Sequence, residues 1–111
     1  MGLDSWFVVG SVKNHTEIKY FRKFYILQEI LAQEWMKQHK ENDDWNFNCV
    51  YLRIGRRIVK ILRKYCSEYE TSSELQEDWD WENKWKELSA LLDEIDNLIN
   101  NGERVYYYSW W

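Results

Sequence analysis

A chain of 111 residues that is 45% apolar and 18% aromatic has enough material for one folded domain and too much apolar surface to stay disordered. Its net charge of −4 speaks against a basic nucleic-acid coat, and four glycines with no proline argue against a flexible linker. No apolar run approaches the ~20 residues of a membrane span and no signal peptide is evident, so a single cytoplasmic α+β domain over residues 1–111 is expected, with no membrane partner.

In chain order, residues 6–12 are aromatic and β-branched and read as a strand. Asn14, His15 and Thr16 supply a turn. From Lys19 to Lys40, Phe21, Phe24, Tyr25, Gln28, Leu31 and Trp35 recur at three- and four-residue steps, which predicts a broad-faced central helix. Residues 41–44, Glu41-Asn42-Asp43-Asp44, read as a polar loop that would end the helix. Residues 47–53 alternate as a short strand, with Phe47, Cys49 and Tyr51 on one face. Ile54, Ile58, Ile61, Leu62 and Tyr65 mark a second helix, and residues 68–78 an acidic loop. Trp81, Trp85, Leu88, Leu91, Leu92, Ile95, Leu98 and Ile99 form the stripe of a third helix, capped by Asp78 or Asp80 and stopped at Gly102. Residues 104–111 alternate as a terminal strand. Strands at both ends predict an antiparallel sheet that includes both, with about three helices on one face.

Charge is unevenly spread. Residues 53–64 hold six basic side chains and no acid, whereas residues 68–103 hold twelve acids against Lys84 and Lys86. Such asymmetry bears on encounter and specificity rather than on fold.

Three stretches carry a resemblance: Met1-Gly2-Leu3-Asp4 at the start, Tyr20-Phe21-Arg22-Lys23 at a helix start, and Tyr106-Tyr107-Tyr108-Ser109-Trp110 at the end. Together they resemble a family of short phage- and prophage-encoded proteins that open MGLD and close on a Tyr-rich, Ser-Trp strand. The chain departs from that pattern at Ser5, where Met is usual, at Phe21, where Trp is usual, and in the loop near residues 70–82. The resemblance implies a phage accessory role and supplies no catalytic residues.

Motifs for chemistry are absent. Cys49, Cys66, His15 and His39 lack the paired spacing of a zinc site, and reduced thiols with structural histidines are expected. No phosphate-cradling glycine loop or nucleophile elbow is present, so neither a cofactor nor an enzyme is expected. An enzyme would need a pocket gathering Cys49, a histidine and carboxylates.

Three surfaces remain as binding candidates. Glu77, Asp78, Trp79, Asp80, Trp81 and Glu82 combine carboxylates with tryptophans, which suits a partner groove that normally holds nucleic acid. On this reading Trp85 is core and Trp79 exposed. In the terminal strand, one of two rows must be left over by a core on one side: Tyr106, Tyr108 and Trp110, or Tyr107 and Trp111. Arg53, Arg56, Arg57, Lys60, Arg63 and Lys64, near Tyr51 and Tyr65, would serve phosphates. The favoured expectation is a phage-encoded interaction protein that binds a host protein or nucleoprotein complex, an anti-CRISPR-like defence inhibitor being one concrete form. The alternative is a nucleic-acid-binding accessory protein using the basic helix, and a homodimer through the terminal strand is compatible with both.

Overall fold

The computed structural model describes residues 3–39, 47, 49–71 and 79–110, without the side chains of 69–71 and 79–82. The elements run β1 (Asp4–Gly10), β2 (His15–Arg22), α1 (Tyr25–His39), β3 (Tyr51–Arg53), α2 (Arg56–Thr71), α3 (Trp79–Asn100) and β4 (Val105–Trp110). The four strands form one antiparallel sheet in the order β2-β1-β4-β3, so the two terminal strands pair at its centre. This is an α+β fold. It divides into two compact units, one from the chain up to Arg53 with Arg104 onward, the other from Ile54 to Glu103.

The first unit is built on alternation. Ser5 and Phe7 of β1, Phe21 of β2, Leu52 of β3, and Val105, Tyr107 and Ser109 of β4 are buried. Phe7 meets Phe21 edge-on at 6.3 Å and Tyr107 at 5.1 Å, and Phe21 in turn meets Phe24 at 5.2 Å. Helix α1 closes this inner face: Gln28 donates to the Phe47 carbonyl at 3.2 Å and accepts from the Tyr107 hydroxyl at 2.7 Å. Such bonds are what a buried amide and a buried phenol require.

Two expectations are corrected here. The helix expected from Lys19 begins only at Tyr25, and residues 15–22, including Tyr20, Phe21 and Arg22, are strand β2. Helical spacing misled because Phe21 of β2 and Phe24, just before α1, are both buried, separated by Lys23 in the left-handed region (φ 58°). The strand expected over residues 47–53 shrinks to Tyr51–Arg53. Cys49 is also left-handed (φ 59°), which breaks the alternation, so Phe47 is buried beside Trp35 and Tyr107 whereas Tyr51 lies on the other side of the sheet.

The second unit is an antiparallel helix pair. Arg63 reaches Asp93 at 2.8 Å and Asp96 at 2.6 Å, and Arg56 donates to Asn100 at 3.1 Å, so the chain numbers run in opposite directions along the two helices. Ile58, Leu62 and Cys66 of α2 and Trp85, Leu88, Leu92 and Ile95 of α3 are buried, Trp85 as expected. Helix α2 runs to Thr71, four residues into the segment expected as loop. At the end of α3, Gly102 is left-handed (φ 83°) and donates to the Ile99 carbonyl at 3.0 Å, while Glu103 donates to Leu98 at 2.9 Å. That bond pair is a Schellman stop, and it turns the chain into β4.

Candidate binding face

Register builds the site. Trp6 stands opposite both Tyr20 and Tyr108, and Tyr108 opposite Tyr51. One aromatic therefore comes from each of the four strands, in a single rank across the outer face. Ring centroids are 5.5 Å apart for Tyr20 and Trp6, 5.8 Å for Trp6 and Tyr108, and 4.7 Å for Tyr108 and Tyr51, all tilted by 35–40°. Flanking ranks hold Arg22, Asp4 and Trp110 on one side, and Glu17, Val8, Tyr106 and Arg53 on the other. Tyr106 meets Tyr51 edge-on at 6.3 Å. Cross-strand aromatic pairs contribute about 0.2–1 kcal/mol each, so the rank stiffens the sheet as well as decorating it.

The rank is not flat. The β1–β2 register shifts between Phe7 and Val8, an irregularity that sharpens the local twist. Gly10, at φ 127°, starts a tight turn in which Ser11 N–H donates to the Asn14 carbonyl at 2.9 Å and Asn14 N–H to the Ser11 hydroxyl at 3.0 Å. This curl carries His15 over the outer face, 5.4 Å from Tyr51 although two strands intervene in the sheet. A cleft of about 380 Å³ results, lined by Trp6, Val8, His15, Glu17, Tyr51 and Tyr108. Val8 is buried and floors it. His15 Nδ1 lies 2.9 Å from the Ser11 carbonyl, which can only accept, so Nδ1 carries the proton and Nε2 is the acceptor in the neutral ring.

Hydrogen bonds and burial raise three of the phenols above the ordinary tyrosine value. A hydrogen bond from Tyr20 to the Asp4 carboxylate raises the Tyr20 pKa. Tyr108 is raised first by its hydrogen bond with the Cys49 thiol and then by burial. Tyr107, on the inner face, is pushed up by burial. The face thus offers rings, hydroxyls and the carboxylates of Asp4 and Glu17, with Arg22 and Arg53 at its flanks rather than a row of positive charge.

The structure distributes the expected candidates unequally. It assigns the outer row of the terminal strand: Tyr106 and Tyr108 are half-buried and Trp110 is 61% exposed, whereas Tyr107 is inside. Trp111 lies outside the described residues. So do Glu77 and Asp78; Trp79, Asp80, Trp81 and Glu82 belong to the first turn of α3, but their side chains lie outside the description. Among the basic residues, Arg63 is held by two carboxylates, which raise its pKa, and Arg56 by Asn100. Arg57 is also engaged. Arg53, Lys60 and Lys64 are exposed. His39 accepts a structural role at the end of α1, bonded to the Trp35 carbonyl at 3.0 Å and stacked on the Trp35 ring. Cys49 is exposed and Cys66 buried, and neither is in a disulfide.

Sequence reasoning missed Trp6, Tyr20, His15, Glu17 and Tyr51 as partners in one face. The signal for Trp6 was its place in a strand alternating with Phe7; the signal for Tyr20 was hidden by the helical reading of residues 19–40. No protein-family model, curated protein or solved structure matches the chain. Among the described residues, no three His, Cys, Asp or Glu side chains gather as a metal site, and no helix is long and apolar enough to cross a membrane.

Proposed function

We propose that this chain is a non-catalytic interaction protein that docks a partner protein on the outer aromatic face of its sheet. The carrying observation is the rank Tyr20, Trp6, Tyr108 and Tyr51, reinforced by exposed Trp110. Tyrosine, tryptophan and arginine are the side chains that anchor protein interfaces, and a stiff sheet presents them at little entropic cost. The resemblance of the sequence to short phage-encoded proteins makes a host protein or complex the partner and the host cytoplasm the place of action. Inhibition of a defence complex, in the manner of an anti-CRISPR, is its concrete form.

Catalysis is less well supported. His15 and Glu17 share the cleft with Tyr108, whose hydrogen-bond partner is Cys49. A thiol nucleophile needs a base that draws off its proton, and a phenol with a raised pKa is a poor one. Direct nucleic-acid binding through α2 is weakened because Arg56, Arg57 and Arg63 already have partners within the protein.

The test is affinity capture from host lysate, with and without nuclease, comparing the native chain with a Tyr20→Ala/Trp110→Ala variant and with a Trp79→Ala/Asp80→Asn/Glu82→Gln variant. A protein that survives nuclease and is lost with the first variant supports the reading. Loss only with the second moves the site to the acidic start of α3. Retention that disappears with nuclease moves it to the basic helix.

A further inference from the structure

The cleft on the aromatic face has a charge preference that its rings alone would not give. Its lining includes one carboxylate, Glu17, and no lysine or arginine among the described residues. Glu17 has no ion-pair partner among the described residues, although it stands beside three aromatic rings. Trp6, Tyr108 and Tyr51 turn tilted faces along the rank, and the negative face of such rings attracts cations, tryptophan most strongly. Around them stand the Glu17 carboxylate, the Nε2 of His15 and the phenol oxygens of Tyr51 and Tyr108.

We infer that the cleft is a receptor for a guanidinium, the side chain of an arginine on the docked partner. A guanidinium is planar and weakly hydrated, stacks on aromatic faces and offers five donors, two of which a carboxylate can accept in parallel. An ammonium is a compact, strongly hydrated charge without the planar face that stacks on rings or the paired donors that match a carboxylate. Within the cleft the Glu17 carboxylate is the charged group that a cationic side chain would meet. This assignment rests on the proposed docking face and names the residue that anchors there.

A direct test needs no partner. Nα-acetyl-arginine methylamide is titrated into ¹⁵N-labelled full-length protein, with the citrulline analogue as a neutral isostere and the lysine analogue as an alternative cation. The Trp6 indole signal is assigned by Trp6→Phe. The arginine probe should shift that signal with a millimolar dissociation constant, and citrulline and lysine should bind about tenfold more weakly. Glu17→Gln, a change at an exposed strand residue, should weaken the arginine probe by a similar factor while leaving the spectrum folded. Equal binding of citrulline or lysine, indifference to Glu17→Gln, or no shift in the millimolar range would overturn the assignment. Arginine binding combined with failure of the capture experiment would leave the cleft standing and remove the interaction reading; a partner that is retained by Glu17→Gln would do the reverse.

Discussion

Tyr107 and Tyr108 are neighbours in β4 and have opposite surroundings. Tyr107 is fully buried between Phe7 and Phe47, with its hydroxyl on Gln28 at 2.7 Å. Tyr108 lies half-buried between Trp6 and Tyr51, within reach of solvent and of Cys49. The same side chain serves as core on one face and as binding surface on the other, and the two-residue period of a strand is all that separates them. Stability should therefore follow the inner row and binding the outer one.

The largest expected effect is Tyr107→Ala, which should cost about 3–5 kcal/mol in urea unfolding, against about 1 kcal/mol or less for Tyr108→Ala. Equal losses would break the comparison. Gly10→Ala comes next. An added Cβ would meet the Asn14 carbonyl oxygen at 2.6 Å, and φ of 127° is strained for any side chain. A loss of about 1–3 kcal/mol is expected, with a shift of the His15 ring signals because the same turn carries that ring over the cleft.

Tyr107→Phe sharpens the comparison further. It should cost about 1–3 kcal/mol by leaving the Gln28 carbonyl oxygen buried without its donor. It should also alter the response to alkali. Burial raises the folded pKa of Tyr107 above its unfolded value of about 10, so its contribution is complete below pH 10 and declines as pH rises further. Unfolding free energy measured from pH 8 to 11 should fall more steeply above pH 10 in the native chain than in Tyr107→Phe. Parallel curves would mean the phenol is not insulated from solvent. The smallest effect is Trp110→Ala, at 61% exposure: within about 0.5 kcal/mol in stability, with partner binding as the only large change.

The architecture was legible wherever one period ran without interruption. The stripe of α3 and its Gly102 stop, the basic helix α2, and the pairing of the first and last strands all follow from repeats of 3.6 or 2 residues and from cap chemistry. What defeated local reading was a pair of left-handed residues, Lys23 and Cys49, at which a non-glycine side chain gives no warning. Lys23 breaks β2 from α1, so Tyr20 fell into a helix on paper, and Cys49 changes which way the following residues face, so Tyr51 fell onto the side of Phe47. The candidate site suffered most from this, because its rank takes one aromatic from each of four strands, and only sheet order and register bring Tyr20 and Tyr51 to the same face. Composition alone required that some of the eight tryptophans and eight tyrosines remain at the surface. Which ones do so was decided by tertiary pairing, since long-range hydrogen bonds between strands set register and no local sequence preference can.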